Sequence, residues 1–125
     1  MNVYCLGNML LPRDSLPLKI LPRLKRKLPG FNFIKYDPTE ELPDEAEKLV
    51  LIDTVLGIKK ITIFNSLSAF SPTPNVSVHD YDLFLELSLR KKLRKLNDFL
   101  IIGVPDHILP DKAVAELCEI LVNQL

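Results

Sequence analysis

The sequence predicts an α/β fold, a three-layer α/β/α sandwich around a mostly parallel five-stranded sheet with one antiparallel strand over residues 58–64. Two features carry this reading. The runs Leu49–Ile52 and Phe99–Ile102 are apolar with no alternation, as expected of parallel strands covered by helices on both faces. The apolar positions Ile58, Ile61, Ile63 and Phe64 follow Asp53 too closely for a crossover helix, so this segment should pair antiparallel, at an edge of the sheet.

The other elements follow in order. Val3–Leu6 is a short apolar strand that stops at Gly7-Asn8. Leu16, Ile20, Leu24 and Leu28 recur at helical spacing, and Pro22 should kink this first helix or shift its effective start. Phe31–Tyr36 reads as the second strand, Leu49–Ile52 as the third and Phe99–Val104 as the last. Residues 65–77, rich in Ser, Pro and Asn, should form a long exposed loop. Its part from Asn65 to Pro74 is a candidate substrate-contacting lip, or simply a surface connection. Ser77-Val78-His79-Asp80 has capping-box spacing and opens a second helix through Leu83 and Leu87 to the basic stretch Arg90–Lys92. Pro110-Asp111 opens a last helix with Val114, Leu117, Cys118, Leu121 and Leu125 on one face.

Composition narrows the class. At 125 residues, with 47% hydrophobic and 26% charged residues, the chain should form a single globular domain over residues 1–125. Its sixteen basic and sixteen acidic residues cancel, so no global field draws it to nucleic acid or to an anionic membrane. The cluster Arg23, Lys25, Arg26 and Lys27 suits the last turn of a helix, where cations complement the dipole. No apolar run approaches the roughly 20 residues of a membrane-spanning helix. Cys5 and Cys118 lack the spacing of a metal or redox motif and read as buried free thiols. Together with a start, Met1-Asn2-Val3-Tyr4, that lacks a basic leader, they point to the cytoplasm.

In an open α/β sheet ligands bind beyond the carboxyl ends of the strands, and three residues that can carry chemistry fall there. Asp53 breaks the Leu49–Ile52 run as the third strand ends. Asp14 lies in the loop after strand one, just before a helix N-terminus that favours a carboxylate. His79 sits in the first turn of the second helix, where the dipole disfavours imidazolium and keeps a ring nitrogen available as a ligand. Two carboxylates and an imidazole suit a borderline divalent ion such as nickel or zinc, and leave coordination positions open. Each residue also has a plain structural role open to it: Asp14 as a helix cap, Asp53 as a loop cap, His79 as a solvated first-turn residue.

Leu6-Gly7-Asn8-Met9-Leu10-Leu11-Pro12-Arg13-Asp14, Leu49-Val50-Leu51-Ile52-Asp53 and Ser77-Val78-His79 together resemble the hydrogenase maturation endopeptidases. In that family a Gly-Asn follows strand one, an acidic residue comes six positions after the Asn, an aspartate ends strand three and a histidine precedes a later helix, all matched here in order. The similarity continues through Phe99–Pro105 and so spans most of the chain. It implies an aspartyl-type endopeptidase that removes the C-terminal extension of a nickel-loaded [NiFe] hydrogenase large-subunit precursor. The metal ligands would be Asp14, Asp53 and His79, and the catalytic carboxylates Asp14 and Asp53. The nickel would arrive with the substrate, and zinc or another divalent ion could take its place. Asn8 and Asp37 become substrate-binding candidates; Asp37 is what remains of the family's Asp-Gly-Gly-Thr segment and has a turn-forming role as its plain reading. The sequence departs from the pattern at Cys5 and Pro17, where glycines are usual, and at Arg13, where a second acidic residue is common.

Two other functions fit parts of the sequence. A nickel-dependent escort would dock on the precursor without cutting it. A receiver-type signalling domain would use the aspartate that ends strand three as phosphoacceptor, but it also needs adjacent acidic residues after strand one and a lysine after strand five; this chain has Gly7-Asn8 and Val104-Pro105 there.

Overall fold

Four of the apolar runs pair side by side as parallel strands, and the inner ones are buried on both faces. The computed structural model describes residues 1–7, 10, 15–36, 48–55, 57–64 and 98–124. Among them lie strands β1 (Asn2–Leu6), β2 (Asn32–Tyr36), β3 (Lys48–Thr54), β4 (Thr62–Phe64) and β5 (Asp98–Val104), and helices α1 (Leu16–Lys27) and α2 (Pro110–Gln124). The strands form one five-stranded sheet in the order β2-β1-β3-β5-β4. β1 runs parallel to β2 and β3, and β3 parallel to β5. β4 is antiparallel to β5 at the edge, as the short connection from Asp53 requires.

Alternate residues divide the core between the two faces of the sheet. Val3, Cys5, Phe33, Val50, Ile52, Leu100, Ile102 and Val104 pack with α1 and α2. Tyr4, Leu6, Tyr36, Leu49, Leu51, Phe99 and Ile101 form the second cluster, where the rings of Tyr4 and Tyr36 meet edge to face at 6.4 Å. Leu49, Val50, Leu51 and Ile52 are all fully buried, which is why β3 shows no polar alternation. Each such side chain contributes about 1.5–3 kcal/mol relative to exposure. The helix predicted from Ser77 to Lys92 and the loop before it lie outside the described residues.

The two described helices follow their patterns with local differences. In α1, Ile20 and Leu24 are buried as their spacing predicts, and so are Leu18 and Leu21. Pro22 lies inside α1 on its exposed side, and the helix continues through it to Lys27; its ring removes the hydrogen bond its N–H would have given the Leu18 carbonyl. Lys25, Arg26 and Lys27 occupy the last turn, while the Arg23 guanidinium reaches Asp111 at 2.7 Å and links α1 to α2. An ion pair this exposed contributes less than about 1 kcal/mol. In α2, Val114, Leu117 and Leu121 are buried with Ala113, but Cys118 is only half-buried, a correction to its expected burial. It lies at the margin of the buried stripe rather than on its midline.

The antiparallel strand is shorter than the predicted 58–64 and starts at Thr62. Gly57 adopts a left-handed backbone, φ 87°, and the Thr62 hydroxyl donates to the Lys60 carbonyl at 2.9 Å. The chain therefore turns through 57–60 before pairing begins. β3, in turn, runs one residue past Asp53 to Thr54, and the Val55 N–H extends the pairing to the Val104 carbonyl at 2.9 Å.

Gly103 is the tightest point of this packing. A Cβ there would lie 2.8 Å from Phe64 Cε2 and 2.9 Å from Val55 Cγ2, whereas one at Gly30 would meet nothing within 4 Å. Gly103→Ala should lower the free energy of unfolding by about 1–3 kcal/mol. Gly30→Ala should change it by less than about 0.5 kcal/mol, both read from chemical denaturation.

Candidate functional site

The strand order fixes where a site can form. β1 lies between β2 and β3, so the connections leaving β1 and β3 diverge at their carboxyl ends. Such a point is where ligands bind in sheets of this kind. Asp53 stands there. It is fully buried and pairs in register with Gly103 of β5, and the alternation of β3 puts it on the sheet face of Leu49 and Leu51.

Among the described residues, the side chains closing over Gly103, the register partner of Asp53, are apolar. Because Gly103 has no side chain, Phe64, Val55 and Ile58 close over the backbone of β5. Thr54 alternates to the opposite face and is also buried, and its Oγ1 has no hydrogen-bond partner among the described residues. A buried carboxylate costs several kcal/mol of hydration unless positive charge or donors reach it. Packing alone would favour an apolar residue here, so Asp53 is the position at which the strand departs from what its fold requires.

The second predicted carboxylate, Asp14, lies outside the described residues, as do His79, Asn8 and Asp37. The residue after Asp14 is described. Ser15 is the N-cap of α1 and is fully buried, its carbonyl accepting from the Leu18 N–H at 3.1 Å and the Lys19 N–H at 3.0 Å. The capping position considered for Asp14 thus belongs to Ser15. As α1 connects parallel neighbours β1 and β2, its N-terminus sits at the carboxyl end of the sheet. Among the described residues, no group of three or more His, Cys, Asp and Glu side chains is placed to hold a metal ion.

The thiols stand apart from this chemistry. Burial pushes the Cys5 thiol up to about 12, with the Lys25 charge opposing it weakly. The half-buried Cys118 thiol is also raised, by burial against the opposing charge of Lys27. Neither has the lowered ionisation that marks a reactive cysteine. Among the described residues no helix is long and apolar enough to cross a membrane.

Two features of this end of the sheet escaped sequence reasoning. The role of Gly103 opposite Asp53 was signalled only by the glycine interrupting the apolar run Phe99–Val104. A groove of about 240 Å³ lined by Lys59, Lys60, His107, Ile108, Leu109, Lys112 and Glu116 had no signal, because its residues come from segments far apart in the chain.

A mixed five-stranded α/β sheet with a buried carboxylate at its switch point defines the class to which this molecule is compared. No protein-family model matches the sequence and no curated protein matches it, so solved structures carry the likeness. The fold is that of the hydrogenase maturating endopeptidase HybD from E. coli, with a TM-score of 0.73 at 15% identity, covering 100% of this chain and 92% of that one. It is similar to the [NiFe] hydrogenase maturation protease HybD from Thermococcus kodakarensis, with a TM-score of 0.61 at 22% identity over 97% of this chain and 99% of that one. A third similar structure is an endopeptidase from Escherichia coli, with a TM-score of 0.59 at 16% identity over 84% of this chain and 74% of that one. The fold expected from the sequence resemblance is thus the fold observed.

Two measurements check the physics of the thiols. Native labelling followed by mass spectrometry should modify Cys118 well before Cys5. Because burial raises the Cys5 thiol from its ordinary 9.0 to about 12 in the folded chain, it contributes stability below pH 9 that is lost as pH rises toward 12. Cys5→Ala should flatten that part of the stability profile.

Proposed function

We propose that this chain is an endopeptidase that removes the C-terminal extension of a nickel-loaded [NiFe] hydrogenase large-subunit precursor, in the cytoplasm, with the precursor's nickel as its recognition mark. The observation that carries the reading is Asp53, a fully buried carboxylate at the switch point of a sheet with the fold of HybD.

In this proposal nickel is part of the substrate, and Asp14, Asp53 and His79 contact it from the protein side. Chain topology supports their convergence. Asp14 adjoins Ser15, which is buried at the carboxyl end of the sheet. β4 runs down the edge, antiparallel to β5, so the segment holding His79 leaves from and returns to the amino end. A helix delivering the chain to β5 would therefore begin at the carboxyl end, where His79 opens the predicted second helix. A cation there offsets the cost of burying Asp53, and two carboxylates with an imidazole fit nickel or a zinc substitute.

The protein's part in the reaction follows from these groups. Binding nickel already held by the precursor fixes the scissile peptide beside the site, which turns an encounter into a positioned reaction. Asp14 or Asp53 would then take a proton from the attacking water, or the precursor's metal would polarise the scissile carbonyl. Asn8 and Asp37 are assigned to contacts with the precursor. The receiver-domain reading loses its support, because the order β2-β1-β3-β5-β4 with an antiparallel edge differs from the parallel 2-1-3-4-5 order of that fold.

Purified protein mixed with nickel-loaded precursor should shorten it, leave nickel-free precursor intact, and lose at least about 100-fold in rate on Asp14→Ala, Asp53→Asn or His79→Ala. Binding without cleavage by the wild-type protein would identify an escort instead. Neither binding nor cleavage would overturn the proposal.

A further inference from the structure

We propose that the groove between the β3–β4 turn and the start of α2 docks an acidic, extended segment of a protein substrate, with Lys59, Lys60 and Lys112 reading its carboxylates. That the protein substrate is the hydrogenase precursor rests on the function proposed above.

The groove is walled on one side by Lys59 and Lys60 and on the other by His107, Ile108, Leu109, Lys112 and Glu116, and encloses about 240 Å³, room for one or two side chains. Its charge is unbalanced, with three ammonium groups facing the one carboxylate of Glu116, which lies 4.0 Å from Lys112. Nearby acidic groups are already engaged. Asp111 accepts from Arg23 at 2.7 Å, and Asp106 lies 3.3 Å from His107 Nδ1. Among the described residues neither Lys59 nor Lys60 has an ion-pair partner, and both are exposed.

The groove also offers apolar contact. Leu109 is 72% exposed on its rim and Ile108 is half-buried beside it. An exposed leucine in a groove that also holds the unpaired Lys59 and Lys60 matches a peptide that alternates apolar and acidic side chains, as extended peptides present them. A nucleic acid would use the charges but not the leucine, and the chain's zero net charge gives it no general attraction for polyanions.

Position connects the groove to Asp53. Ile58, the residue before Lys59, reaches within 3.4 Å of where a Gly103 Cβ would stand, and Gly103 is the register partner of Asp53. His107 follows shortly after Val104, the last residue of β5. A segment held here lies at the same end of the sheet as the proposed cleavage site. The interaction being between exposed charges, it should weaken with salt.

The test uses the full chain and a short fluorescent peptide of alternating glutamate and leucine, followed by anisotropy. The wild-type protein should bind it at low salt, and the peptide with glutamine in place of glutamate at least about tenfold more weakly. Lys59→Glu with Lys60→Glu should weaken binding of the acidic peptide by at least about tenfold, with circular dichroism unchanged because both side chains are exposed. Leu109→Ser should weaken it less. Equal affinity for the two peptides, indifference to the double reversal, or tighter binding of a labelled single-stranded oligonucleotide would overturn the proposal. The outcome is separable from the endopeptidase reading: acidic-peptide binding without precursor shortening would reject that reading and keep the groove. Shortening with unchanged rate and KM in the double reversal would keep the enzyme and reject the groove.

Discussion

The structure turns on one constraint: a carboxylate buried where an apolar, two-sided β-strand comes to its end. β3 is apolar and fully buried from Leu49 to Ile52, and nothing in its pairing with β1 and β5 asks for a charge at the next position. Asp53 is there all the same, fully buried. A buried carboxylate persists only where its surroundings compensate the loss of water. The sheet order puts that place where the connections of β1 and β3 diverge.

The rest of the architecture holds this point rigid. β5 supplies Gly103 beside Asp53, and the missing side chain lets Phe64, Val55 and Ile58 close in. β4 contributes only three residues to the sheet, yet one of them is the Phe64 that fills this gap. On the opposite face α1 and α2 pack on the sheet and on each other. Ser15, the residue that follows Asp14, is buried at the start of α1. A mobile platform would not suit a reaction that depends on positioning, since misplacement by about 1 Å can cost about 100-fold in rate.

Much of this was legible in the sequence, for identifiable reasons. β3 and β5 are legible because burial on both faces removes polar alternation, and β4 because the chain between it and Asp53 is too short to cross over. α2 shows a clean apolar stripe, although Cys118 sits at its margin rather than within it. The extent of β4 was overestimated because isoleucines at 58 and 61 look like strand residues, whereas Gly57 and the Thr62 hydroxyl bond turn the backbone there. Pro22 proved compatible with a continuous helix because it lies on the solvent side. Asp53 stood out as the break in an apolar run. Asp14 and His79 are joined to it by resemblance and by topology, not by any local spacing, and both lie outside the described residues. The lysine groove could not be read at all, since the chain from Lys60 to His107 separates its two walls.

Asp14, Asp53 and His79 are proposed to share one cation. The most direct measurement is a crystal structure of the protein soaked in millimolar cadmium or nickel, with the metal located by anomalous scattering. The expected result is a peak within coordination distance of an Asp53 carboxylate oxygen, an Asp14 oxygen and a ring nitrogen of His79. An imidazole turned away from both carboxylates, with no side-chain rotation able to bring it to the metal, would contradict it.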